Sequence, residues 1–177
     1  MKNRPVAAGK VSNRIGGAFL FCLLLVGSSP ASDGWVVRDD GVGPVKIGMA
    51  LAQLSTALHQ ELAADERDEQ GCFYINARGH DHVGFMIIDG RVRRVDVGAP
   101  GLKTSTGLQV GDPEAQVRKV YGARVKVDAH QYIESGHYLT VRSADGRYGI
   151  RFETDKGKIL GFYAGTYDAI QYVEGCE

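Results

Sequence analysis

Between residues 138 and 165 apolar and polar side chains alternate with a period of two. Leu139 and Val141 fall on one side, as do Tyr148, Ile150 and Phe152, then Leu160, Phe162 and Ala164. Tyr138, Thr140, Arg142, Arg151, Glu153 and Tyr163 fall on the other. Such alternation predicts antiparallel strands with one face in a core and one toward water. The expected strands are about 138–143, 147–154 and 158–165, and an earlier set is expected at about 72–77, 83–89 and 91–98. Asp89-Gly90 marks a tight hairpin, and Asp155-Lys156-Gly157 a three-residue version.

Two stretches switch to helical spacing. The first, about 50–62, places Leu51, Leu54, Leu58 and Leu62 on one stripe, with Ala50 where a capping side chain is expected. In the second, Asp112 is the expected N-cap and Pro113 fits the first helical position. Ala115, Val117, Val120 and Tyr121 follow at helical spacing, and Gly122 reads as the stop.

The segments opening the two halves are alike. Val45-Lys46-Ile47-Gly48-Met49-Ala50-Leu51-Ala52-Gln53-Leu54 aligns with Leu108-Gln109-Val110-Gly111-Asp112-Pro113-Glu114-Ala115-Gln116-Val117 at an offset of 63. The hairpins align at 67, pairing Phe85 with Phe152, Gly90 with Gly157, Val92 with Ile159, Val95 with Phe162 and Gly98 with Gly165. About four extra residues are therefore expected between helix and hairpin in the second half. The predicted class is α+β: two tandem repeats of a strand and helix followed by an antiparallel three- to four-stranded meander, with helices packed on one sheet face. Repeat one covers about 36–98, repeat two about 103–165, and a C-terminal tail 166–177.

The doubled strand-Gly-Met/Asp-x-x-x-Gln-Leu/Val start resembles the helix-plus-sheet unit of the SmpA/OmlA outer-membrane lipoproteins. Its tandem arrangement is similar to the β-lactamase-inhibitor protein fold. The closing run Tyr172-Val173-Glu174-Gly175-Cys176 resembles that of exported proteobacterial proteins. These resemblances imply a fold and a compartment, and no activity.

The amino-terminal segment changes the picture of the whole chain. Lys2, Arg4, Lys10 and Arg14 precede an uncharged apolar run, Ile15 to Val26, and Ser29 and Ala31 supply small residues at a cleavage site. These are the parts of a secretory signal peptide, expected at residues 1–31, leaving a single domain at 32–177. The apolar run is shorter than the ~20 residues a membrane span needs, so no stable anchor is expected. Phe21 before Cys22 argues against lipid attachment. Of 21 basic and 21 acidic side chains, four basic ones lie in that segment, so 17 face 21 in the remainder. A net acidic domain does not suit nucleic acid. The expected location is the periplasm or outside the cell.

Export leaves Cys72 and Cys176, which have one intramolecular pairing in an oxidising compartment. The expected bridge closes a loop of about 100 residues, valued at roughly 4–5 kcal/mol by chain entropy. A redox-active or free thiol is the alternative, although no C-x-x-C spacing is present.

His80-Asp81-His82 carries metal-ligand chemistry, because side chains two apart on a strand share a face. A third ligand would have to come from His130 or His137; a solvated loop is the competing reading. Ser55, Ser105, Ser135 and Ser143 lack a nucleophile-elbow frame. Asp65-Glu66 and Asp68-Glu69 read as a solvated face, and the glycines form no phosphate-binding loop. Arg91, Arg93 and Arg94 form either a cationic stripe with Arg142 and Arg151 or cross-strand pairs with Asp89, Asp96 and Glu153.

Tyrosines gather in the second half: Tyr132, Tyr138, Tyr163, Tyr167 and Tyr172. Exposed tyrosine offers large contact area with few rotors; the competing reading is tyrosine that covers a sheet edge or packs under the tail. The expected recognition face is Tyr138, Arg142, Arg151 and Tyr163, contacting a protein partner in the cell envelope without catalysis and without a cofactor. The alternatives are a periplasmic metal protein or hydrolase using His80 and His82, and an anchored envelope-structural protein. The oligomeric state has no signal in the sequence.

Overall fold

Antiparallel strands with one apolar face need helices to cover it, and two short helices do so here. The structure is a computed structural model that describes Met1, residues 34–62 and residues 71–176. The expected signal segment beyond Met1, and Asp65-Glu66 and Asp68-Glu69, lie outside the described residues. The elements below belong to a unit running Ser32–Glu177.

Three short strands come first: β1 (Val36–Arg38), β2 (Gly41–Val42) and β3 (Val45–Lys46). Helix α1 (Leu51–Leu58) follows, then β4 (Cys72–Asn76), β5 (Val83–Ile88), β6 (Arg91–Val97) and β7 (Lys103–Thr104). Helix α2 (Glu114–Tyr121) precedes β8 (Val125–Ala129), β9 (His137–Arg142), β10 (Tyr148–Asp155) and β11 (Lys158–Thr166). Among the described residues these make an α+β architecture of two sheets. A small sheet has the order β3-β2-β1-β7, its β1–β7 pair being parallel. A seven-stranded antiparallel sheet has the order β4-β5-β6-β11-β10-β9-β8.

The large sheet is continuous because β6 and β11 pair at its middle, with Val97 opposite Phe162, Asp96 opposite Tyr163 and Val95 opposite Ala164. Close approach there needs glycine: a Cβ on Gly165 would lie 2.2 Å from the Arg93 carbonyl oxygen. The apolar side of the sheet, with Phe85, Val95, Leu139, Phe152 and Phe162, packs on Leu54 of α1 and Val117 and Tyr121 of α2 in one core. Each helix start is hydrogen-bonded to an inner strand. Gly48 donates to Val92 O (2.7 Å) and Val92 to Met49 O (2.9 Å). Gly111 donates to Ile159 O and Ile159 to Asp112 O, both at 2.9 Å.

Several sequence expectations are corrected. Helix α1 stops at Leu58 because His59 turns left-handed (φ 49°), so Leu62 packs on the core from outside the helix. Its first turn is closed from within: the Gln53 carboxamide accepts from the Ala50 N–H (2.9 Å). Asp112 does not cap α2; its carboxylate accepts from the Gln109 N–H (2.9 Å), tightening the preceding loop. Leu108–Val110 is not a strand, because Thr104 and Leu108 fold the chain back on itself, Thr104 donating to Leu108 O (2.8 Å). The second hairpin turn is a two-residue one: Asp155 is opposite Lys158, with Lys156 and Gly157 both at positive φ. Leu160 is exposed rather than in the core. A bulge between Glu153 and Thr154 on the partner strand makes it the extra residue, and Ile159 takes the buried place. The short strand expected before the first helix is β3, whereas β1, β2, β7 and β8 were not anticipated; β1, β2 and β7 are two or three residues long, too short for an alternation to register.

Candidate functional site: the sheet face beneath the C-terminal tail

Alternation places Tyr74, Arg94, Asp96, Tyr163, Arg151, Glu153, Tyr138, Thr140 and Arg142 on the sheet face opposite the helices. The expectation that this face is wet is overturned. Arg94 is 3% exposed, Tyr138 5%, Arg151 6% and Tyr163 6%. Arg142 stays exposed, its guanidinium 4.0 Å above the Tyr167 ring. Over Arg94, Arg151 and Tyr163 the cause is the segment after β11, which crosses the face and ends at the Cys72–Cys176 disulfide (Cα–Cα 5.3 Å), while the His130 ring lies over Tyr138. A 3-10 turn, Ala169–Gln171, seats Ile170 fully buried against the face. Gly149 makes the seat, since a Cβ there would lie 2.6 Å from the Ile170 side chain.

Arg94 is the centre of the face. Its Nε and Nη2 donate to the Asp96 carboxylate (2.6 and 2.8 Å). Nη2 also donates to the Tyr74 hydroxyl (2.7 Å), and Nη1 to the carbonyls of Ala169 (3.1 Å) and Tyr172 (2.6 Å). All five N–H groups of the guanidinium are thus used. Burial works against its charge, and the Asp96 hydrogen bonds more than offset that, holding its pKa above the usual value. The Tyr74 hydroxyl donates to Asp96 (2.9 Å). Burial, then the Asp96 charge, push its pKa up. Arg94 also stacks over the Tyr163 ring (4.3 Å).

A second knot lies on β9 and β10. Arg151 donates through Nε to the Thr140 hydroxyl (2.9 Å) and through Nη2 to the Gln171 side chain. The Tyr163 hydroxyl donates to Glu153 (3.1 Å); burial, then the Glu153 charge, raise the tyrosine pKa. His130 stacks on Tyr138, ring centroids 4.4 Å apart. Its Nδ1 accepts from the Tyr132 N–H (3.1 Å), which leaves the proton on Nε2, 3.8 Å from a Glu153 oxygen.

Two clefts open beside the tail. One of about 330 Å³ is lined by Tyr74, Arg94, Asp96, Glu153, Tyr163 and the tail residues Val173, Glu174 and Gly175. The other, about 490 Å³, is lined by the disulfide, Ile88, Gln131, Gln171, Tyr172 and Glu174. Tyr132 (60% exposed) and Tyr172 (48%) stand out from this side. The Gln131 amide donates to the Tyr132 hydroxyl (3.1 Å).

The other sequence candidates disperse. His80 stacks on Trp35 (4.0 Å, 17° between planes) and His82 is exposed in the loop before β5. His130 belongs to the tail-side knot. His137 pairs with Glu114 (3.0 Å), which also accepts from Thr154 and Arg118. Among the described residues no group of three or more His, Cys, Asp and Glu side chains is arranged for a metal ion. The arginine run divides: Arg91 donates to Gly48 O (3.0 Å), Arg93 pairs with Asp168 (3.0 Å) and Arg94 forms the clasp. The sequence reading missed Tyr74 and the part Arg94 plays, and held packing under the tail as the competing reading for the tyrosines. Arg94 and Asp96 lie two apart on one strand, which was the available signal; the Ile170 seat at Gly149 had none.

No helix among the described residues is long and apolar enough to cross a membrane. No family model matches the chain, and no curated protein matches it significantly. Among solved structures the chain is similar to an extracellular protein containing an SCP domain from Bacillus anthracis str. Ames, with 13% identity and a TM-score of 0.46. The match covers 71% of this chain and 45% of that one, so the chain spans less than half its length.

Proposed function

We propose that the protein is an exported, non-catalytic binding module that recognises a protein partner in the cell envelope, and that the contact surface is the tail side of its large sheet. The observation that carries this reading is the pair of exposed tyrosines, Tyr132 and Tyr172, on the side of an open groove of about 490 Å³. Beneath them the polar groups pair with each other: Tyr74 with Asp96 and Arg94, Tyr163 with Glu153, Arg151 with Thr140 and Gln171. Side chains committed in this way shape a surface rather than move protons. Export is supported by the signal-like residues 1–31 and by the Cys72–Cys176 bridge.

We also read the unit as two copies of one ancestral module, as the resemblance to tandem helix-plus-sheet proteins implies. In support, the helix-start hydrogen bonds at Gly48/Val92 and Gly111/Ile159 match residue for residue. The bulge at Arg93 has its counterpart at Leu160. The β6–β11 register is unchanged when the halves are exchanged at an offset of 67, with Asp96 and Tyr163 at the centre. The tail then acts as an added part that covers one face of the pair.

A photo-cross-linking amino acid at Tyr172 or Tyr132, in cells exporting the protein, tests the reading. The expected result is one discrete adduct from these positions and none from Lys119 on the exposed side of α2. No adduct at the tyrosines, or the same adducts from all three positions, would contradict it.

A further inference from the structure

We propose that the sheet face under the tail is a groove for a polypeptide segment carrying one tight helical turn, filled in the resting protein by residues 167–176 of the same chain and opened to a second chain when an external dithiol reduces Cys72–Cys176. The tail is held as a bound peptide is held. Past Tyr167, whose N–H donates to Arg147 O, its backbone hydrogen bonds among the described residues are internal: Gln171 to Asp168 and Tyr172 to Ala169. It adds no strand to the sheet. Its grip comes from side chains of the face: Arg94 on two main-chain carbonyls, Arg93 on Asp168, Arg151 on Gln171, and the Gly149 seat for Ile170. Gly175 lies flat on Tyr74, where a Cβ would come within 3.0 Å of the hydroxyl.

This is peptide-recognition chemistry. Main-chain carbonyls supply the affinity that any sequence shares, one apolar residue fills one seat, and an acidic and an amide side chain meet two arginines. The occupant that fits is therefore a segment that makes one tight turn with the order acidic-x-apolar-amide, as in Asp168-Ala169-Ile170-Gln171.

The lock on this segment is chemically reachable. Both cysteines are partly exposed and line the 490 Å³ groove with Ile88 and Glu174. A thiolate of the dithiol attacks one bridge sulfur, forming a mixed disulfide and releasing the other cysteine as a thiolate that takes up a proton. The second thiol of the reagent then displaces the remaining cysteine. Two electrons and two protons pass from the dithiol, which leaves as its disulfide, to Cys72 and Cys176. While the bridge is closed, a tethered tail outcompetes any free peptide through its high effective concentration. Once it opens, the tail is tethered at one end only, at Thr166, and its effective concentration over the groove falls.

The proposal rests on reading the tail side as the recognition side, and its test is separate from the cross-linking experiment. In hydrogen-exchange mass spectrometry, residues 167–176 of the full-length protein should be protected when oxidised. In dithiothreitol they should exchange at least tenfold faster while β5, β6, β10 and β11 stay protected. A labelled peptide copying residues 166–176 with Cys176→Ser should bind the full-length Ile170→Asp/Cys176→Ser protein at least tenfold more tightly than the oxidised wild type. An Ile170→Asp version of the peptide should lose that binding. If the double variant loses its circular-dichroism signature, the Cys176→Ser protein alone takes its place in the titration. A tail equally protected with and without dithiothreitol would overturn the lock. A folded, tail-released variant that does not bind the peptide would overturn the groove, and would do so even if Tyr172 still cross-links to a partner.

Discussion

Arg94 shows how one buried cation is made tolerable. A guanidinium taken out of water is costly unless every donor finds an acceptor, and here a carboxylate, a phenol and two carbonyls use all five. Arg94→Ala leaves the Asp96 carboxylate without its cation, with only the Tyr74 hydroxyl still donating to it, and leaves two tail carbonyls unpaired. The expected cost is about 3–5 kcal/mol, read from urea denaturation. Arg94→Lys keeps the charge but not the fork, and should fall between wild type and alanine. Glu114, the first residue of α2, gives a pH-dependent counterpart. Burial alone would raise its pKa, but hydrogen bonds from Arg118, His137 and Thr154 outweigh that and hold it below 4.5. A carboxyl depressed in the folded state stabilises above its unfolded pKa, and that contribution is lost as the pH falls through the folded value. Glu114→Gln should therefore cost about 1–2 kcal/mol at neutral pH. Denaturation at a series of pH values should show the difference shrinking below pH 4.5.

The strands and hairpins were legible because their information is local. Asp89-Gly90 adopts the two left-handed conformations that its residues favour, φ 50° and 69°, and the strand limits fell within about two residues of expectation. What was not legible depends on partners distant in sequence. The bulge that turns Leu160 outward is set by strand pairing, and α1 ends four residues early because His59, not a glycine, takes the left-handed place. The β6–β11 seam likewise could not be read from either half. Gly165→Ala would drive a methyl into the Arg93 carbonyl. The seam must part or the strand shift, and a loss of about 2–4 kcal/mol is expected in thermal or urea unfolding.

In the whole molecule, the misreading of the polar face has one physical origin. Period-two alternation tells that Tyr138, Arg151 and Tyr163 share a face; it does not tell what lies over that face. The disulfide was readable by elimination, and it placed the tail against the first half, yet the path of the tail across the sheet depends on a gap at Gly149 and on carbonyls that have no letter in the sequence. The bridge spans a separation of 104 residues. Cys176→Ser should lower stability by about 4–5 kcal/mol on the chain-entropy view, with a steeper loss of protection in the tail than in the strands.

Hydroxyl-radical footprinting of the oxidised protein reads the cover over the sheet directly, residue by residue. Tyr132 and Tyr172 should be modified readily, whereas Tyr163 should stay protected until the tail is released and Tyr138, under the His130 ring, should stay protected throughout. Equal modification of all four tyrosines in the intact, bridged protein would mean that the polar face is open to water, and the account of a tail-covered face would fail.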